Sequence, residues 1–128
     1  MKISLGRVVI LVHDYDEALA FYSSALNCIR LYDMTADNGQ RFLHLGFEGE
    51  PAGIWLLKAA TPEQLQRVGK QTHGPALVLY TDSFEDLHRQ LVAHKVRVTK
   101  GPVVEPEYKF LHFLDLYGNE IVLVELKS

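Results

Sequence analysis

Apolar residues fall in short runs separated by turn-forming residues, and two of those runs resemble each other. Val8 to Val12 and Ala76 to Tyr80 are apolar at successive positions over the length of a strand. Runs of this kind predict strands buried on both faces. Each is followed by an aspartate with a glutamate three residues on, Asp14 with Glu17 and Asp82 with Glu85. That is the spacing of a helix N-cap and its third residue, where a carboxylate accepts from unpaired amides. Helices are therefore expected over about 15 to 27 and 83 to 94. Ala18, Leu19, Tyr22, Ala25 and Leu26 make an apolar stripe on the first, and Phe84, Leu87 and Leu91 on the second, so each must lie on a sheet.

After the first helix, Ile29 to Met34 reads as a strand, Asp37-Asn38-Gly39 as a turn, and Arg41 to Phe47 as the return strand. A turn over 49–53 leads into Ile54 to Lys58. After the second helix come Val96 to Thr99, a break at Gly101-Pro102, Lys109 to Asp115, a turn at Tyr117-Gly118-Asn119, and Glu120 to Leu126. The order is β-α-β-β-β, twice. Thr61-Pro62-Glu63-Gln64 has capping-box spacing with a first-turn proline, so a short helix is expected within the linker from 59 to 73.

Sliding the sequence on itself by 68 residues aligns Gly6 with Gly74, Leu11 with Leu79, Asp14 with Asp82, Glu17 with Glu85 and Leu19 with Leu87. The same offset lays Arg41-Phe42-Leu43-His44 over Lys109-Phe110-Leu111-His112. The chain reads as a duplicated module, with 1–58 and 74–128 as the two copies of one α+β domain spanning 1–128.

With 128 residues, 48% hydrophobic and 23% charged, the chain has the composition of one globular domain. Thirteen basic against 16 acidic residues give a net charge of −3 without a basic stripe, so nucleic acid is not an expected partner. No apolar run is long enough for a secretory core or a membrane span, and a cytoplasmic location is expected. Cys28 is the sole cysteine, which rules out an intrachain disulfide or a thiolate metal cluster. Its expected role is a small packing residue at the end of a helix.

The two β-α-β-β-β modules, the Val12-His13-Asp14 strand end before Ala18-Leu19-Ala20-Phe21-Tyr22, and the closing run from Phe113 through Tyr117-Gly118-Asn119 to Glu125 together resemble the vicinal oxygen chelate superfamily. Glyoxalase I, extradiol dioxygenases, fosfomycin resistance enzymes and bleomycin-binding resistance proteins belong to it. The resemblance implies two cupped mixed sheets with helices outside, a ligand pocket inside, and pairing of chains as homodimers. In metal-dependent members a His or similar ligand opens the first strand of each module, and a carboxylate points inward from the last. Carried over, those positions hold Arg7, Trp55, Pro75 and Val122. Arg offers only donors, and Pro and Val offer no ligand atom, whereas an ion needs three or four donor atoms in fixed geometry. No cofactor is therefore expected, with a divalent metal at a relocated site left open.

Arg7 and Trp55 in ligand positions would give the cup a permanent cation and a flat aromatic surface, suiting a planar or anionic ligand. Arg7 should then meet a ligand carboxylate or an acid such as Glu120, which shares a strand face with Val122. His44 and His112 occupy equivalent strands, alternate with Phe42 and Phe110, and are candidate proton carriers. They are equally readable as inherited packing residues. Tyr108, in the loop before the seventh strand, is a candidate gate over the pocket. His13 belongs to a loop. His88 and His94, about 240° apart around a helix, are read as surface residues rather than a zinc pair.

The leading expectation is a metal-independent, glyoxalase/bleomycin-resistance-like protein binding a small aromatic or acidic molecule through Arg7, Trp55, Tyr108, Glu120 and Val122. The alternatives are a lyase or isomerase using His44 or His112 as proton carrier, a metal-dependent member with a relocated site, or a structural module whose pocket is filled by Trp55 and tyrosines.

Overall fold

The computed structural model describes residues Met1 to Lys127; Ser128 lies outside the described residues. The chain divides into two compact units, Met1–Val68 and Gly69–Ser128.

Unit 1 runs β1 (Arg7–Val12), α1 (Tyr15–Leu26), β2 (Ile29–Thr35), β3 (Arg41–Gly46), β4 (Gly53–Lys58) and α2 (Pro62–Arg67). Unit 2 runs β5 (Pro75–Tyr80), α3 (Phe84–Ala93), β6 (Val98–Val104), β7 (Tyr108–Leu114) and β8 (Glu120–Leu126). The sheets have corresponding orders, β1-β4-β3-β2 and β5-β8-β7-β6. In each, the first and last strands of the module pair in parallel and the remaining neighbours are antiparallel. The α+β architecture and the duplication expected from the sequence are both present.

Period-two alternation assigns the faces. In unit 1, Ile10, Val12, Leu43, Leu45, Ile54 and Leu56 are almost wholly buried, as are Ala18, Tyr22, Ala25 and Leu26 on α1. The other face carries Val9, Tyr32 and Met34, which are 37%, 45% and 46% exposed. In unit 2, Leu111, Phe113, Ile121 and Leu123 form the core with Phe84 and Leu91, whereas Val78 and Tyr80 are 54% and 71% exposed. The expectation that β1 and β5 are buried on both faces is therefore corrected. A helix covers only one face of each sheet, and uninterrupted apolar sequence here marks one core face and one open apolar face.

The helix starts differ between the copies. Asp14 caps α1, its carboxylate accepting from the Glu17 amide at 2.8 Å. Asp82, expected to do the same, does not; the cap of α3 is Ser83, which makes no side-chain cap bond. The Phe84 amide donates instead to Glu125 on β8 at 3.2 Å. The reason lies in β5, whose register slips between Pro75 and Leu77. Arg7 and Pro75 occupy corresponding ladder positions, but beyond the slip Val9 pairs Trp55 while Val78 pairs Val122. One extra residue has entered, so the structural counterpart of Asp14 is Ser83, one position away from the sequence match.

The Gly101-Pro102 break is also corrected, because β6 runs from Val98 through it to Val104 with two register shifts. Gly101 lies at φ +84, where a side chain would strain the backbone, and its peptide to Pro102 is cis. The linker helix forms as expected, with Thr61 and Gln64 in a reciprocal capping box. Cys28 is buried, and burial pushes its thiol up to about 12, consistent with a packing role.

Before β8, the buried Asp115 carboxylate accepts from the Tyr117 and Asn119 amides and from the Asn119 side chain, each at 2.9 Å. Replacing it leaves three donors in a dry turn, so Asp115→Ala should cost about 3 kcal/mol or more. Asp14→Ala should cost about 1 kcal/mol as a lost cap, and Asp82→Ala less than about 0.5 kcal/mol as a surface change. Urea unfolding of the three variants tests this, and equal losses for Asp14→Ala and Asp82→Ala would contradict the cap shift.

Candidate functional site

The open face of unit 1 carries the most concentrated chemistry. Ladder pairing sets Tyr32 opposite His44 and His44 opposite Trp55, across β2, β3 and β4. The His44 ring lies 5.5 Å from that of Tyr32 and 5.4 Å from that of Trp55, and Phe42 lies 6.1 Å from Trp55. These centroid distances are those of favourable aromatic pairs. Strand alternation places Phe42, His44 and Trp55 on the face away from α1, because Leu43, Leu45, Ile54 and Leu56 take the other.

Arg7, at the start of β1, reaches this row. Its Nε donates to His44 Nδ1 at 3.1 Å, and its Nη1 donates to the carbonyls of Gly6 and Pro51 at 2.9 and 3.2 Å. Arg7 thus directs Nε and Nη1 to partners within unit 1, while Glu120, the acid expected to meet it, lies beside His112 in unit 2. Burial and the neighbouring Arg7 charge hold His44 below its ordinary value of 6.5, favouring the neutral ring. A neutral imidazole whose Nδ1 accepts must carry its proton on Nε2. His44 is in consequence a hydrogen-bond donor through Nε2, poorly prepared to take a further proton.

That donor is unmet. Among buried side-chain polar atoms, His44 Nε2 and Trp55 Nε1 have no hydrogen-bond partner. Each buried unmade bond costs about 1–3 kcal/mol, and two on adjacent, ladder-paired rings are unusual in a finished core. The sequence pointed to Arg7 and Trp55 separately and to His44 as a proton carrier. It did not foresee the Arg7–His44 bond, which depends on the long reach of Arg7 across β4 to β3.

In unit 2, His112 occupies the matching place with different company. Its Nδ1 is 3.6 Å from a Glu120 carboxylate oxygen, its ladder partners are Lys100 and Val122, and Phe110 lies 5.6 Å away. Val122 is nearly buried. Lys100 Nζ stands 5.6 Å over the Phe110 ring. An imidazole beside a carboxylate can hold or pass a proton, so the two histidines differ in chemistry despite their common position. Tyr108 is the first residue of β7 rather than part of a loop. Its carbonyl accepts from the Glu105 amide at 2.8 Å, its ring lies 5.9 Å from that of Phe110, and it pairs with Leu126 in the ladder. His13 is exposed in the β1–α1 turn, His94 is exposed at the end of α3, and His88 is half-buried with its ring 6.4 Å from Phe84.

The chain belongs to the Glyoxalase/Bleomycin resistance protein/Dioxygenase superfamily, whose model matches residues 4–123. It is 30% identical to an uncharacterized protein of Shewanella frigidimarina (strain NCIMB 400), over 100% of this chain and 97% of that one. Among solved structures it is similar to UcmS2, with 27% identity, a TM-score of 0.83, and 97% and 98% of the two chains covered. It is also similar to TnmS3, an antibiotic binding protein from Streptomyces sp. CB03234, with 26% identity, a TM-score of 0.82 and 99% of each chain covered.

The positions that the resemblance marks for metal ligands hold Arg7, Trp55, Pro75 and Val122. Arg7 is engaged as a donor to His44, and the other three side chains have no ligand lone pair to offer. Among the described residues, no three His, Cys, Asp or Glu side chains are grouped so as to hold an ion. This donor set does not fit a divalent cation.

The depressed His44 pKa has a stability consequence. As pH falls below 6.5, the unfolded chain takes up a proton at His44 that the folded chain resists, so this contribution to stability is lost on acidification. Unfolding in urea at about pH 7.5 and about pH 5.5 should show a smaller pH-dependent loss for His44→Phe than for the unaltered protein. Equal losses would contradict the placement of a neutral His44 against Arg7.

Proposed function

We propose that this protein binds a small planar organic molecule on the open face of unit 1, without a metal ion. The observation that carries the reading is the ladder-paired row of Tyr32, His44 and Trp55, with two buried N–H groups left without acceptors. Aromatic walls with a few fixed polar groups are the ordinary make-up of a small-molecule site. Similarity over the full length to an antibiotic binding protein supports the same reading. Arg7 acts here as a positioning residue, holding the His44 ring, and Trp55 supplies the flat contact surface. The proposal keeps the protein in the cytoplasm and active as a homodimer.

A second reading has its own observation. The 3.6 Å approach of Glu120 to His112 would suit a metal-free lyase or isomerase in which His112 carries the proton. The binding reading is preferred because the unmet donors lie in unit 1.

Thermal shift on chelator-treated protein, screened against planar aromatic acids, ketones and antibiotics, tests the proposal. A ligand present at about a hundred times its Kd should add about 2.7 kcal/mol to stability. The effect should persist without added metal and weaken about tenfold or more in affinity for Trp55→Leu, an aromatic anchor lost. Binding that appears only on adding Zn, Ni, Mn, Fe or Co, or that Trp55→Leu leaves unchanged, would overturn it.

A further inference from the structure

We propose that the ligand meets unit 1 through an acceptor-only oxygen, a carbonyl or carboxylate conjugated to an aromatic ring, placed against His44 Nε2 and Trp55 Nε1. This deepens the binding reading above and rests on it. His44 and Trp55 are direct ladder partners on β3 and β4, and their rings stand 5.4 Å apart at 43°. With Arg7 Nε donating to His44 Nδ1, the remaining imidazole proton sits on Nε2. An indole nitrogen is a donor and nothing else. Two N–H donors without partners therefore lie on neighbouring rings.

No acceptor on a surrounding side chain meets either N–H. The Tyr32 hydroxyl donates to Met34 Sδ at 3.1 Å, and Arg7 and Phe42 have no acceptor to give. With the Tyr32 hydroxyl turned to Met34, a ligand oxygen is the group that would meet both donors. The Arg7 charge at the back of His44 disfavours a cation and favours an oxygen that is neutral or negative. Because both nitrogens are closed to solvent, the oxygen enters with movement of neighbouring side chains, and the half-exposed Tyr32 and Met34 border the row. An apolar analogue of the same shape would leave both donors unmet, and sites built for a hydrogen bond reject such analogues strongly.

Trp55 is the only tryptophan, so one indole N–H resonance reports on this site. Titrations would use 2-naphthoate, 2-acetylnaphthalene and 2-ethylnaphthalene, followed by proton–nitrogen correlation spectra and calorimetry. The two oxygen-bearing probes should bind at least about tenfold more tightly than 2-ethylnaphthalene and move the indole proton downfield. The carboxylate and ketone arms distinguish an anionic from a neutral acceptor, and tighter binding of either supports the inference. Equal binding of 2-ethylnaphthalene, with the same spectral change, would overturn the inference while leaving the binding reading intact. Failure of all three probes to bind would overturn both.

Discussion

The hydrogen bond from Arg7 Nε to His44 Nδ1 organises the open face of unit 1. It gives the guanidinium a partner, opposes protonation of the imidazole and leaves its proton on Nε2. Remove it and either tautomer of His44 becomes available, with burial alone still opposing its protonation. Arg suits this place because its charge is permanent and its Nε–H lies in a rigid fork. A lysine there would bring a strongly hydrated ammonium without that fixed direction.

This bond depends on the division of each sheet into two faces. The core face of unit 1, closed by Ala18, Tyr22 and Ala25 of α1, carries the packing and fixes the strand register. Register then dictates the other face, because a slip by one residue would exchange Phe42, His44 and Trp55 for Leu43, Leu45 and Ile54. The two modules share this plan and diverge in what it displays. Unit 1 presents aromatic donors beside Arg7, whereas unit 2 presents His112 beside Glu120 and Lys100. Duplication kept the histidine position and changed its neighbours, and with them its chemistry. Membership of a superfamily with many activities therefore says less about this protein than the side chains on its open faces.

Much of the fold was legible in the sequence because turns and caps announce it locally. Asp14 with Glu17, the Thr61 capping box and the Tyr117-Gly118-Asn119 turn act over a few residues, and each stands where its spacing placed it. The errors came from register. The extra residue between Pro75 and Leu77 is silent in a sequence match at constant offset, yet it moves the cap from Asp82 to Ser83. Gly101-Pro102 reads as a break, but a strand with irregular register can carry it. Tyr108 reads as loop because Pro106 precedes it, although it already pairs with Leu126 in the ladder. The candidate site was legible only as residue types: Arg7, Trp55 and His44 stood out singly, and their meeting depends on how three strands align.

The most direct test of this account is the protonation of His44 near neutral pH, read from long-range proton–nitrogen correlations of the imidazole. The account predicts a neutral ring with its proton on Nε2 and Nδ1 accepting from Arg7. A ring protonated on Nδ1, or on both nitrogens, would contradict it, because Arg7 could then not donate to His44 and the pair of unmet donors would lose its basis.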